Sequence, residues 1–264
     1  MAGRIALLPA QAQALAGAQP DLVSLQEVTA GSLPGWRAAL AEAGMQSLAS
    51  LGPDRDPAES RGARRYGVLA AARWPLRPLE PIGAPWPERV LSVLVQAPGA
   101  KLELHGAYVP QAANGWVKVE TLEALHDALA RPGDRPRILC GDLNTPRTET
   151  VDGRIATFAQ RRVGARPMPE RGERWDLAER RILTALADRG IVDVFRLLNG
   201  YEARDLSWLW PGHGGGYRLD HALASESLRP TACCYRHEWR AAGLSDHSAL
   251  QVDFAAASAA AVER

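Results

Sequence analysis

The sequence predicts an α/β fold built on mixed β-sheets with helices packed against them. Three observations carry this. Short apolar runs of strand length recur along the chain, as at Asp21-Leu22-Val23-Ser24-Leu25 and Arg137-Ile138-Leu139-Cys140. Stretches with helical spacing lie between them, marked by Leu122, Leu125 and Leu129. Hairpin turns are interspersed with the helices, which argues for α/β layers on mixed sheets.

Taken in order, residues 9–19 read as a helix, with Pro9 in the first turn where its missing N–H is harmless. Residues 21–25 read as a short buried strand. Residues 33–43 are helical and stop at Gly44. Pro, Gly, Asp and Arg over 51–64 make a surface loop. Residues 66–72, 90–96 and 101–108 read as strands, and Pro98-Gly99 joins the last two as a hairpin. A helix near 116–130 precedes a strand over 137–140 that ends at Gly141-Asp142. Residues 145–172 are polar and Arg-rich and read as a long surface excursion of the kind that often carries function. A helix near 175–189 ends at Gly190. Strands follow near 191–194, 206–210, 217–224, 231–239 and 248–254. No linker divides the chain, so residues 1–254 read as one domain and 255–264 as a frayed Ala-rich tail.

Of the 264 residues, 46% are hydrophobic and 23% charged, which excludes a wholly disordered chain. The net charge of +1 sets up no global field, so a polyanionic partner must meet a local patch. The three cysteines show neither a disulfide framework nor zinc spacing, and the compartment reads as reducing. No apolar run reaches the roughly 20 residues of a membrane span. Pro9 and Gln11 cut short the apolar start, so the reading is cytoplasmic.

Polar residues recur where strands end: Gln26-Glu27, Tyr108-Val109-Pro110, Gly141-Asp142-Leu143-Asn144, Arg218-Leu219-Asp220-His221 and Ser245-Asp246-His247. Strand ends at one rim of a sheet are the usual place to assemble a site. The inventory suits phosphate-ester hydrolysis. Carboxylates bind a hard cation, a His, an Asn amide and a Tyr hydroxyl donate to phosphate, and an Asp takes a proton from water.

At these residues the chain resembles the endonuclease/exonuclease/phosphatase superfamily, with the matches in the family's order. It is most similar to the exonuclease III branch of abasic-site endonucleases, through Glu179-Arg180-Arg181, residues 190–196, Ser207-Trp208 and Tyr217-Arg218-Leu219-Asp220. The resemblance implies a four-layer α/β sandwich, two packed mixed sheets flanked by helices. Carried over by position, Glu27 matches the principal metal ligand and Asp246 a residue beside the metal, with Mg²⁺ or Mn²⁺ as the ion. Asp142 matches the residue that orients or activates the attacking water, Asn144 a phosphate-pocket donor, and His247 the phosphate-contacting histidine held by Asp220. Tyr108 matches the tyrosine on the scissile phosphate. The implied activity is metal-dependent hydrolysis of a phosphodiester by in-line water attack, with DNA as substrate and a monomeric enzyme. Trp208, Arg161 and Arg162 are candidate substrate contacts.

Two departures stand beside the match. The family's first strand ends in an Asn beside the metal, whereas here the chain opens at Met1-Ala2-Gly3-Arg4 where that strand has finished. The reading therefore expects that strand to be missing. The stretch from Leu209 to Gly216 is short for a DNA-probing loop. Two alternatives follow: a phosphoesterase of the same fold acting on a phospholipid headgroup, inositol phosphate or other small phosphate ester, and a catalytically impaired truncated member.

Other polar groups have plainer expectations. Asp193 caps a turn, while Glu149 and Asp152 are solvated. His105, His126 and His237 are structural or on the surface, and His221 faces away from Asp220. Trp208 divides evenly between base stacking and core, and Trp210 is assigned to core. Arg161, Arg162, Arg166, Arg171 and Arg174 form a basic run, by default a solvated face and alternatively a phosphate-tracking groove edge.

Overall fold

A computed structural model describes residues 2–52, 62–159, 162–163, 166–167, 171–212 and 214–256. Helix α1 (Leu8–Ala18) precedes β1 (Leu22–Val28), α2 (Leu33–Glu42), β2 (Ser47–Leu51), β3 (Gly67–Ala72) and β4 (Leu76–Pro78). Strands β5 (Val90–Ala97) and β6 (Ala100–Tyr108) lead through α3 (Trp116–Ala130) to β7 (Arg137–Asp142). Four two-residue strands follow: β8 (Thr148–Glu149), β9 (Ile155–Ala156), β10 (Arg162–Val163) and β11 (Arg166–Pro167). Next come α4 (Glu173–Thr184), β12 (Ile191–Asp193), α5 (Val194–Asn199), β13 (Trp208–Leu209) and β14 (Gly216–Tyr217). The described chain closes with β15 (Asp220–Ser225), β16 (Pro230–Arg236), α6 (His237–Ala241) and β17 (Ala249–Phe254).

The larger sheet has six strands in the order β12-β15-β7-β6-β5-β4. It is mixed: β6 and β7 run parallel, with α3 as their crossover, and the other pairs are antiparallel. The β5–β6 hairpin is the one the Pro98-Gly99 turn predicts. The second β layer comes in two antiparallel pieces, β1-β3-β2 and the hairpin β16-β17. Among the described residues, the only strand that pairs with β1 is β3, and the only one that pairs with β17 is β16.

Side-chain alternation sorts the layers. Val68 and Ala70 of β3 face the space between the sheets, with Leu91, Val93 and Val95 of β5, Leu104 of β6 and Tyr235 of β16. Their neighbours Leu69 and Ala71 point the other way, onto Trp36 and Leu40 of α2. On the far side of the large sheet, Ala107, Leu139 and Leu223 pack on Leu122 and Leu125 of α3 and Ile182 of α4. Burial of each such leucine or isoleucine stabilises the fold by about 1.5–3 kcal/mol. The order helix, sheet, sheet, helix is the four-layer α/β sandwich. The sheets meet closely at Gly106, where an added Cβ would stand 2.6 Å from Ser24 Oγ.

The structure corrects several element expectations. Ser47–Leu51 is a strand where the sequence assigns no element to 45–50 and begins a loop at 51; its Ser and Ala residues have little β propensity, and pairing with β3 decides. The strand near 191–194 stops at Asp193, whose side chain caps α5 by accepting from Arg196 N at 3.2 Å. The strand near 231–239 ends at Arg236 and gives way to α6. The 145–172 excursion is not wholly on the surface, since Ile155, Thr157 and Ala159 are buried. The tail from 257 onward lies outside the described residues.

Candidate active site

Three strand ends meet at one edge of the large sheet. Tyr108 closes β6 and lies in register with Asp142 at the end of parallel β7. Asp220 opens antiparallel β15 opposite Asp142. Alternation fixes their direction: Asp142 shares a face with Ile138, and Asp220 with Ala222 and Ala224, so both point between the sheets. Gly141 makes this possible. It has φ +133°, and a Cβ there would stand 2.0 Å from Ala107 O. Glu27 comes from the irregular end of β1, where the register with β3 shifts and its own φ is +61°. His247 lies just before β17 and bridges to Trp208.

Asp142, Asp220 and His247 place polar atoms within 4.8 Å of one another, a spacing that would suit a metal. However, His247 Nδ1 donates to Asp220 Oδ2 at 2.7 Å, and this bond engages both atoms. Burial opposes a charge on His247, but the Asp220 carboxylate outweighs it and lifts the imidazole to about 10. A protonated imidazole has no lone pair for a metal. Asp220 is held below its usual range: burial works against its charge, and the positive His247 overcomes it. The Asp220 backbone is tied down as well, its carbonyl accepting from Tyr235 OH at 2.6 Å and its N–H donating to Ser207 Oγ at 3.1 Å.

Asp142 behaves in the opposite way. Burial, reinforced by the charges on Asp220 and Glu27, pushes it up to about 7, although His247 and the Asn144 N–H work against the rise. Asn144, at φ +51°, gives its N–H to Asp142 Oδ1 at 2.9 Å and its Nδ2 to Oδ2 at 3.0 Å. Asn144 Nδ2 also donates to Val109 O at 2.8 Å. Both amide hydrogens are thereby spent inside the site, where the resemblance implies a phosphate donor. Tyr108 OH donates to Glu27 Oε1 at 2.8 Å. Burial and the Glu27 charge keep that hydroxyl protonated, and the Arg89 guanidinium lies 4.0 Å over its ring. Glu27 sits below its usual range; burial resists, but nearby positive charge, the Tyr108 bond and His247 prevail.

The structure thus gathers Asp142, Asn144, Asp220 and His247, with the Tyr108–Glu27 pair alongside. Asp246 is exposed and outside the cluster, although its charge helps raise His247. Trp208 stacks on Tyr217 at 5.8 Å and 6°, with Trp210 and Phe158 edge-on to Tyr217 at 5.4 and 5.2 Å. Trp210 is 39% exposed and is not core, which corrects the expectation; the short β13–β14 pair carries it out over Gly215. Arg161 lies outside the described residues. Arg162 begins β10, and its side chain lies outside them too. His221 faces the other side of the sheet and bonds to Thr145 O at 2.7 Å.

Two groups escaped the sequence reading. Glu149 is not solvated; it is buried against Arg196 and Arg218, each within 2.8 Å. Lys118 is fully buried and donates to Asn144 O at 2.8 Å. A signal for Lys118 existed: it stands four residues before Leu122, on the same helical stripe as the buried leucines.

A buried carboxylate poised near neutrality, beside a positively charged imidazole, can pair proton abstraction with stabilisation of an oxyanion. The same fold recurs in solved structures. An AP endonuclease from Archaeoglobus fulgidus is 20% identical, with a TM-score of 0.68 over 94% of each chain. The 3'-5' exonuclease NExo from Neisseria meningitidis is 20% identical, with a TM-score of 0.65 over 95% of each chain. TDP2 from D. rerio, complexed with a single-strand DNA product, is 16% identical, with a TM-score of 0.62 over 93% of this chain and 90% of that one. The family profile itself matches residues 10–247 and so takes in every side chain gathered at the sheet end; the chain belongs to the Endonuclease/Exonuclease/phosphatase family and is a hydrolase of phosphoesters.

Proposed function

We propose that the protein is a DNA nuclease that cleaves a phosphodiester by direct attack of water. The Asp220–His247 pair beside the neutral-range Asp142 carries this reading. Asp142 takes the proton from the attacking water; a base titrating near 7 is matched to work at neutral pH. His247 stays charged and donates from its outer nitrogen to a phosphoryl oxygen. Asp220 holds the imidazole in place. Asn144 holds both oxygens of Asp142 and so aims the base. Tyr108 steadies Glu27 from one side.

The donor set fits a hard divalent cation. Glu27 is kept ionised, the cluster of possible ligand atoms among the described residues takes in no cysteine, and the candidate ligands are oxygens. Glu27 would hold Mg²⁺ or Mn²⁺, with Asp246 at the exposed rim. The ion would supply positive charge to the phosphate and its leaving oxygen. DNA is favoured over small phosphate esters by the half-exposed Trp208–Tyr217–Trp210 cluster, which offers flat faces next to His247. Neighbours of the same fold include an AP endonuclease and a TDP2 bound to a DNA product.

The test is a substrate panel with Mg²⁺ and Mn²⁺: abasic duplex, nicked duplex, single-stranded DNA, RNA, sphingomyelin and inositol phosphates. Metal-dependent cleavage of one of the DNA substrates is expected. Turnover confined to sphingomyelin or inositol phosphates would overturn the DNA reading in favour of a small-ester hydrolase.

A further inference from the structure

Lys118 is a fully buried charged group next to the site, and no step above uses it. Its Nζ lies 2.7 Å from Glu179 Oε1 and 2.8 Å from Asn144 O, 4.7 Å over the Phe158 ring. The Glu179 carboxylate is saturated. Trp175 Nε1 donates to Oε1 at 2.6 Å, while Thr145 Oγ1 and Phe158 N each donate to Oε2 at 2.8 Å. One buried ion pair therefore ties α3, α4, the 144–145 turn and the 158 segment to each other.

Such a pair is a poor device for stability alone. Removing two charges from water is costly, and apolar replacements of the same volume often do as well. What this pair does have is an output. The carbonyl it grips belongs to Asn144, which sits in the left-handed region at φ +51°, so the Lys118 bond holds the backbone at the turn from which the Asn144 N–H and side chain reach Asp142. That same residue grips both oxygens of Asp142. We propose that Lys118 is a positioning residue for the hydrolytic reaction: anchored by Glu179, it fixes the Asn144 backbone and through it the aim of the Asp142 carboxylate.

Lys118 is fully buried and touches no substrate, so its effect is on geometry. A base displaced by about 1 Å can lose up to roughly 10²-fold in rate. The inference rests on the proposed nuclease reading. Its test uses whichever phosphodiester the wild-type protein cleaves. Lys118→Met should lower kcat by roughly 10- to 10²-fold while KM stays within about twofold. If Lys118 acts through Asn144, the losses in Lys118→Met and Asn144→Gly should couple, so that the double variant falls less than the product of the single losses. Glu179→Gln, which keeps the volume and loosens the anchor, should reduce kcat in the same direction and serves if Lys118→Met does not fold. Wild-type kcat in a folded Lys118→Met protein, or losses that simply multiply, would overturn the proposal and leave the nuclease reading intact. Failure of both variants to fold would make the pair structural and also overturn it. An inactive wild-type protein would remove the reading on which it rests.

Discussion

At the scale of single residues, environment separates groups that are chemically alike. Asp142 and Asp220 face each other across one strand pair, yet burial leaves one near neutrality while a 2.7 Å bond to His247 keeps the other ionised. Asp142→Asn removes the proton acceptor and His247→Ala the positive donor. Each should lower kcat by roughly 10²-fold or more with the circular dichroism spectrum unchanged. Steady-state kinetics on protein cleared of contaminating nucleases checks this. Gly141 makes a separate claim, about stability. Gly141→Ala drives a Cβ into the Ala107 carbonyl at a backbone angle unsuited to L side chains, so the β6–β7 backbone must give way there. A loss of about 1–3 kcal/mol in denaturant unfolding is expected.

At the scale of elements, a buried ion network fastens the β8 segment to the sheet. Glu149 binds Arg196 of α5 and Arg218 before β15, and Arg218 also binds Asp193 at the end of β12. Burial opposes the charge on Glu149, but the two guanidiniums win and hold it at about 2, against a usual 4.5. A depressed carboxylate contributes stability that is present above its unfolded pKa and lost as pH falls through the folded one. Melting temperature should therefore fall as pH drops from about 5 toward 2, and Glu149→Gln should flatten that part of the profile. An unchanged acid limb in the variant would show that other carboxylates govern it. Asp193 works twice, as the cap of α5 and as an ion partner, and only the cap was legible locally.

At the scale of the whole molecule, a net charge of +1 offers no general attraction to DNA. Affinity for duplex should depend on local contacts with phosphate and weaken steeply with salt, with a slope of about −0.9 per phosphate neutralised. A salt titration of binding measures it, and a flat response would shift the substrate toward a small ester. Activity should vanish in EDTA and return with Mg²⁺ or Mn²⁺. Among the described residues, no helix is long and apolar enough to cross a membrane.

By itself the sequence determined the periodicities and the punctuation. Leu122, Leu125 and Leu129 placed α3, Pro98-Gly99 placed the hairpin, and polar residues after apolar runs marked Glu27, Tyr108, Asp142 and Asp220 as strand-end groups. These are local signals, set by the 2.0- and 3.6-residue repeats and by turn chemistry. Tertiary structure alone decided what those groups experience. Glu149 reads as solvated until Arg218, 69 positions away, closes over it. Trp210 reads as core until the short β13–β14 pair carries it to the surface. Asn144 reads as a phosphate donor until Val109 and Asp142 take its amide hydrogens. For Glu149 and Asn144 the deciding contacts, with Arg218 and Val109, join distant segments, while a local strand pair decides Trp210; burial, which sets pKa and satisfies hydrogen bonds, depends on how the layers stack.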